Sequence, residues 1–265
     1  MGRARIILLT LVALAALLVI AVVLVVRPMA SKFDPPEAVA GADRVFRLRN
    51  VVVDYYAVKT DDGAILFDAG LDSRGPALDA LLSAASSKRD EVQAAFITHG
   101  HSDHIAGAVL LPQAKIYASA LEAAAMRGES ENKRPVPKIL RKVFGVKPVK
   151  ITDALEGRIE IPVSGGRERV LAIPLAGHTA GSYAYVFRGV LFAGDAFNYE
   201  DGVLSFPPDI VTEDMAAVRR SIAQLPKLLG GVDVKIICTG HGGCTPADQT
   251  RALLDTFVKQ ASAAQ

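Results

Sequence analysis

The stretch Thr98-His99-Gly100-His101-Ser102-Asp103-His104 decides how the rest of this sequence is interpreted. Its histidines follow residues 94–98, whose apolar run predicts a short buried strand. His99 and His101 are two residues apart and point to the same side of an extended chain, and Gly100 allows a tight backbone turn. Asp103 and His104 fall at the start of a predicted helix. Four ligand-type side chains can therefore converge here, and imidazole with carboxylate suits Zn²⁺, with Fe or Mn as alternatives.

The other candidate ligands lie in three short motifs farther along the chain. Each motif follows a predicted strand, and in each the candidate has a glycine as a neighbour: Gly177-His178, Gly194-Asp195 and Gly240-His241-Gly242. Strands that end at one edge of a sheet would bring these motifs together. The seven predicted metal ligands are His99, His101, Asp103, His104, His178, Asp195 and His241. They account for all five histidines of the chain and supply what a two-metal site needs.

In this order, the motifs resemble those of the metallo-β-lactamase-fold hydrolase superfamily. Leu66-Phe67-Asp68-Ala69-Gly70 resembles the first motif of that family. The resemblance extends from about residue 43 to about residue 257. It implies an α/β (α+β) fold, an αββα sandwich with two metal ions at one edge of the paired sheets.

The resemblance also implies a role for each candidate residue. His99, His101 and His178 would bind the first metal, and Asp103, His104 and His241 the second. Asp195 would bridge the two ions, and Asp68 would orient a ligand through a hydrogen bond. Asp103 is also the candidate catalytic residue, because it can orient the nucleophile and carry its proton to the leaving group.

The chemistry expected of such a site is hydrolysis. Two divalent ions, Zn²⁺ in the first place, would share a water whose hydroxide form attacks an ester, lactone or thioester bond of a small molecule. A phosphodiesterase or nuclease of the same fold, and a mononuclear iron sulfur dioxygenase, remain alternatives. Asp195 counts against a true β-lactamase, because the antibiotic-hydrolysing members replace it. The formal net charge of +2 gives no reason to expect a nucleic-acid partner.

The N-terminal part of the chain predicts a membrane anchor. Residues 6–26 form an uncharged run of 21 residues, which as a helix would be about 31 Å long, close to one hydrocarbon core. We therefore expect a tail at residues 1–5, a transmembrane anchor at 6–26, a linker at 27–42 and a catalytic domain at 43–265. Arg3 and Arg5 favour a cytoplasmic N-terminus, which places the domain on the extracytoplasmic side of the membrane. The lipid bilayer is thus an expected partner, through the N-terminal helix.

Three further features leave alternatives open. The segment Arg127–Lys150 contains eight basic residues and two acidic ones. Residues 138–144 predict a short basic amphipathic helix with a solvated face, and a lid beside the metals or a contact with anionic headgroups are the alternatives. Cys238 and Cys244 are expected to be a buried thiol and a loop thiol, although a disulfide around His241 is possible outside the cytoplasm. Tyr199, four residues after Asp195, is the one candidate for substrate contact, and a packing role is equally compatible with its position.

Overall fold

The computed structural model describes residues 5, 28–29, 31–129 and 134–263. The first half contains β1 (Glu37–Ala38), β2 (Val45–Asn50), β3 (Val53–Thr60), β4 (Gly63–Phe67), α1 (Pro76–Ala84), β5 (Val92–Phe96), α2 (Ser102–Ile105), β6 (Lys115–Ser119), α3 (Ala123–Arg127) and α4 (Pro135–Phe144). The second half contains β7 (Asp153–Leu155), β8 (Ile159–Val163), β9 (Glu168–Pro174), β10 (Tyr183–Phe187), β11 (Val190–Gly194), β12 (Asn198–Glu200), β13 (Val203–Ser205), α5 (Met215–Leu229), β14 (Ile236–Thr239) and α6 (Thr250–Ala263).

Two sheets form the centre of the fold. One has seven strands in the order β1-β2-β3-β4-β5-β6-β7, and the other has five in the order β14-β11-β10-β9-β8. Strands β4 to β7 run parallel to one another, and β14 runs parallel to β11. A separate hairpin, β12–β13, lies outside both sheets.

The sheets pack face to face because alternate side chains of each strand point to opposite sides. On β4, Ile65 and Phe67 enter the core between the sheets, whereas Leu66 faces the outer side. The ring of Phe67 stacks on Phe192 of β11 with a centroid distance of 3.8 Å. Both faces of the central strands are buried, which explains their almost uninterrupted apolar sequences.

Helices cover the outer face of each sheet. Leu78, Leu81 and Leu82 of α1 pack on the seven-stranded sheet. Residues of α5 and α6, among them Ile222 and Phe257, pack on the five-stranded sheet. The mixed α/β sandwich with four layers is therefore confirmed.

The membrane anchor predicted at residues 6–26 lies outside the described residues. Within the part of the chain that the structure describes, no helix has the length and apolar character needed to cross a bilayer.

Cys238 and Cys244 form a disulfide, so the expectation of two unpaired thiols is wrong. The chain turns back directly after β14, and the two cysteines face each other across an antiparallel bridge with their Cα atoms 4.1 Å apart. Gly242 and Gly243 make this turn possible, since both have positive φ values, 106° and 87°. The disulfide closes the turn that carries His241.

Candidate metal centre

The seven predicted ligands meet at one edge of the sandwich. Each follows a strand of one of the two sheets: β5 precedes the His99–His104 motif, β9 precedes His178, β11 precedes Asp195 and β14 precedes His241. The ring centroids of His101 and His178 are 4.7 Å apart, and those of His104 and His241 are 5.9 Å apart. The potential ligand atoms form two groups, each lying within 4.8 Å of one another: His99, His101, His178 and Asp195, and Asp103, His104 and His241.

The carboxylate of Asp195 lies between the two groups. Its Oδ2 atom is 3.5 Å from Nε2 of His178 and 3.2 Å from Nε2 of His241. Its Oδ1 atom is 3.2 Å from Nε2 of His104. Asp195 therefore has an oxygen near the histidines of both groups, as a bridging ligand requires.

Hydrogen bonds at the outer side of the site fix the tautomer of His104 and His99. Nδ1 of His104 lies 2.7 Å from Oδ2 of Asp68, and a carboxylate can only accept, so Nδ1 carries the proton. Thr98 donates its hydroxyl hydrogen to Asp68 and so accepts from Nδ1 of His99 at 3.1 Å. In both rings, Nε2 is therefore the nitrogen that faces the centre.

The same reasoning applies to the two histidines from distant loops. Nδ1 of His241 donates to the carbonyl of Val52 at 2.8 Å. The hydroxyl of Thr212 donates to the carbonyl of Pro208, so it accepts from Nδ1 of His178 at 3.2 Å. In all four rings Nδ1 has an outer partner, so Nε2 is the nitrogen that faces the common space.

These nitrogen atoms fit metal ions. Nε2 of His99 and His104 and Oδ1 of Asp195 are buried and have no hydrogen-bond partner among the described residues. Nδ1 of His101 lies 3.0 Å from Nε2 of His178. Two nitrogen ligands at about 2.0–2.1 Å from one tetrahedral Zn²⁺ are about 3.4 Å apart. The observed separation is close to that of two ligands of one cation.

Burial and charge divide the histidines into two kinds. Burial lowers the pKa of His99 and His101, and it lowers that of His178 to about 3, so these rings are neutral ligands. Burial acts in the same direction on His104 and His241, but the carboxylates around them, Asp195 before the others, together outweigh it. The pKa of His104 is raised well above its usual value, and that of His241 is raised to about 9. These two rings must release a proton when they bind a metal.

Asp68 takes the position that the resemblance implied. Besides His104, its carboxylate accepts the backbone N–H of Thr98 at 2.8 Å. Its own backbone is left-handed, with φ at 60°, which aspartate tolerates better than most residues. Asp68 therefore connects the end of β4 to both halves of the His99–His104 motif.

A buried glutamate that the sequence analysis missed holds two ligand loops together. Oε2 of Glu122 accepts the N–H of Gly100 at 2.8 Å, and Oε1 accepts the N–H of Gly181 at 3.0 Å and the hydroxyl of Thr179 at 2.8 Å. Burial raises the pKa of Glu122, and these three donors oppose that effect. A Cβ atom on Gly100 or Gly181 would come within 2.7 or 2.6 Å of this carboxylate. The glycine beside His101 is thus needed for this contact, and its own φ is not in the left-handed region.

A cleft with a volume of about 260 Å³ opens directly onto the cluster. Asp103, Asp195 and His241 lie at its base, and its walls are mainly apolar, formed by Pro137, Leu140, Pro208 and Val211. Asp103 keeps 27% of its side chain exposed, and its Oδ2 atom is 3.6 Å from Nε2 of His241. A ligand in the cleft therefore reaches the metal cluster and Asp103 together.

The hairpin after Asp195 presents Asn198, and not Tyr199, to this cleft. Asn198 and Glu200 line it, and Oδ1 of Asn198 is buried and has no hydrogen-bond partner among the described residues. Tyr199 points to the other side of β12 and packs on the core beneath the five-stranded sheet. The alternation of side chains along β12 produces this difference.

The basic segment does not form a solvated helix face along its whole length. Its helix α4 begins at Pro135, ahead of the predicted residues 138–144, and places Pro137 and Leu140 in the wall of the cleft. Pro137 is buried, while Ile139 and Leu140 are exposed. The helix thus lies beside the candidate metal ligands.

Comparisons with known proteins agree with this architecture. Residues 48–241 match the family model of the metallo-beta-lactamase superfamily. No curated protein matches the chain by sequence. The chain therefore belongs to the metallo-β-lactamase superfamily.

Solved structures share the fold at low sequence identity. A metallo-beta-lactamase with a HARLDQ motif from Cronobacter sakazakii is 20% identical, with a TM-score of 0.65, covering 90% of this chain and 95% of its own. The metallo-beta-lactamase GOB-18 from Elizabethkingia meningoseptica is 18% identical, with a TM-score of 0.63 and coverages of 87% and 90%. An archaeal superfamily protein from Sulfolobus tokodaii is 21% identical, with a TM-score of 0.57 and coverages of 79% and 80%.

Proposed function

We propose that this protein is a dinuclear metal-dependent hydrolase that cleaves an ester, lactone or thioester bond of a small molecule. One observation carries the proposal. Five imidazoles and two carboxylates point their free ligand atoms into one space, at the base of a cleft with apolar walls. A volume of about 260 Å³ suits a small molecule better than a polymer.

The chain's own residues divide the work of the reaction. Divalent ions held by this donor set would polarise the oxygen under attack and lower the pKa of water toward neutrality. Asp195 and the outer partners of the histidines hold the donor set in place before substrate arrives. Asp103 lies at the base of the cleft and is half-buried, so its carboxylate orients the attacking water and takes its proton to the leaving group. The apolar walls exclude water from the rest of the substrate.

The membrane anchor at residues 6–26 belongs to this proposal as a separate part. It is supported by the uncharged apolar run alone. A tethered domain on the extracytoplasmic side of the membrane would act on small molecules outside the cytoplasm.

Metal removal and a substrate panel test the function. The full-length protein is treated with a chelator, reloaded with Zn²⁺, Mn²⁺ or Fe²⁺, and assayed on a nitrophenyl ester, a lactone, a thioester and a phosphodiester. We expect two ions per chain by elemental analysis, loss of hydrolysis on chelation, and recovery on reloading. If the metal-loaded protein hydrolyses neither the ester, nor the lactone, nor the thioester, the proposal is refuted. Fastest turnover of the phosphodiester would favour the phosphodiesterase alternative, and a single iron with oxygen consumption would favour the dioxygenase.

Asn198 provides a sharper test of the cleft. A buried amide atom without a partner costs about 1–3 kcal/mol, so its position beside the metals supports a role in binding a polar group of the substrate. We expect Asn198→Leu to keep its metal content and to lower kcat/KM about 10-fold, because leucine has a similar volume and no polar atoms. Tyr199→Phe, on the opposite face of β12, is the matched control. An unchanged kcat/KM in Asn198→Leu would exclude this role.

A further inference from the structure

A second cavity adjoins the cleft. It has a volume of about 440 Å³ and lies between α3 and α4. His101, Ser102 and Pro137 line both cavities, so the two spaces meet beside the first metal group. A substrate whose reacting bond lies at the metals can therefore extend into the second cavity.

The second cavity has a strongly positive wall. Arg141, Lys142 and Lys147 line it together with Lys138, and none of the described lining residues is acidic. The guanidinium of Arg141 donates to the carbonyls of Ala125 and Met126 at 2.9 and 2.8 Å. These bonds hold the side chain rigidly and leave its positive charge without a carboxylate partner among the described residues.

The other arginines of the same segment are paired differently. Arg127 forms an ion pair with Glu129 at 2.7 Å, and Arg134 forms one with Asp209 at 3.2 Å. Neither arginine lines the cavity. Lys142 and Lys147 make no ion pair with any described residue, so the charge that remains uncompensated faces the space next to His101.

We propose that the substrate carries an anionic group, a carboxylate or a phosphate, which binds in this second cavity while the scissile bond lies at the metal cluster. The inference rests on the proposed function and specifies its substrate class. The apolar cleft receives the leaving group, and the basic cavity receives the end of the acyl part. Cations that line a cavity raise the local concentration of an anionic substrate and orient it.

Matched esters test this inference on the metal-loaded, full-length protein. Three nitrophenyl esters have acyl chains of equal length that end in a methyl, a carboxylate or a phosphonate group. We expect kcat/KM to be at least about 10-fold higher for one or both anionic esters than for the methyl ester, and to fall with ionic strength. The better of the two anionic esters identifies whether the group is a carboxylate or a phosphate.

Charge reversal identifies the residues. In the double variant Lys142→Glu/Lys147→Glu, we expect the ratio of anionic to neutral kcat/KM to fall to about one or below. Lys150→Glu, an exposed lysine of the same segment outside the cavity, is the control and should retain the wild-type ratio. A wild-type ratio near one, or an equal loss in both variants, would overturn the proposal.

A binding measurement separates this inference from the proposed function. Calorimetry is performed with the amide analogues of the three esters, which are not turned over on its timescale. Tighter binding of the anionic amides that depends on Lys142 and Lys147 supports the anion site even if no ester is hydrolysed, in which case only the proposed function fails. Ester hydrolysis without any preference for the anionic amides leaves the function standing and refutes the anion site.

Discussion

His101→Ala is expected to lose bound metal and to abolish hydrolysis. His101 is one of four ligand residues in the first metal group, and its Nδ1 atom is 3.0 Å from Nε2 of His178. Without it, three donors remain, and His178 no longer has a partner that shares its cation. The loss should exceed the roughly 10–100-fold effect of removing an outer hydrogen-bond partner. Elemental analysis and ester hydrolysis on the same preparation measure it.

The control for this variant lies next to it in the chain. Ser102→Ala changes a residue that is not among the ligands, so its metal content should equal that of the wild type. Circular dichroism shows whether both variants remain folded. Full metal content and full activity in His101→Ala would refute the assignment of the whole cluster.

The sequence predicts which side chains gather at one edge of the sandwich, because its signals are local. The His99–His104 motif places four candidates within seven residues, and the remaining ones stand directly after apolar strands. Since the strands end at one edge of the sandwich, distant motifs meet there without any further signal. The αββα layering follows from strands that are apolar on both faces and helices that are apolar on one.

Other features depend on contacts that leave no local pattern. The pairing of Cys238 with Cys244 requires the exact path of a glycine turn. The hairpin β12–β13 has strands of three residues each, too short for alternation to be recognised, so the sequence could not show that Asn198 faces the cleft and Tyr199 the core. Residues 135–137 of α4 contain two prolines, which concealed the start of that helix.

Glu122 is the clearest example of such a feature. It stands in the alanine-rich run Ala120-Leu121-Glu122-Ala123 and has no motif around it. Its partners Gly100 and Gly181 are 22 and 59 residues away. The sequence shows only the two glycines that this contact needs. The structure explains them, because the carboxylate of Glu122 occupies the space that a Cβ atom would take at either position.

Glu122→Leu is expected to weaken metal binding at the first group about 10–100-fold, as outer-shell replacements do. The carboxylate holds the loop before His101 against the loop after His178, through hydrogen bonds from Gly100, Gly181 and Thr179. Leucine leaves the N–H groups of Gly100 and Gly181 buried without an acceptor, at about 1–3 kcal/mol each. Glu122→Gln should have a smaller effect, because its amide oxygen can still accept from one side while its NH₂ group faces the donors on the other. Metal titration of the chelated protein measures the affinities.

Glu122→Leu could weaken metal binding by positioning the loops less well or only by destabilising the fold. A variant far from the site separates these two effects. Leu78→Ala in α1 removes a buried side chain from the outer core of the seven-stranded sheet and should cost about 2–5 kcal/mol of unfolding free energy. Its metal affinity should remain that of the wild type, because α1 carries none of the ligands. If Glu122→Leu and Leu78→Ala bind metal equally well, Glu122 only stabilises the fold. If the affinity falls from wild type through Glu122→Gln to Glu122→Leu, while Leu78→Ala is unaffected, Glu122 positions the two ligand loops.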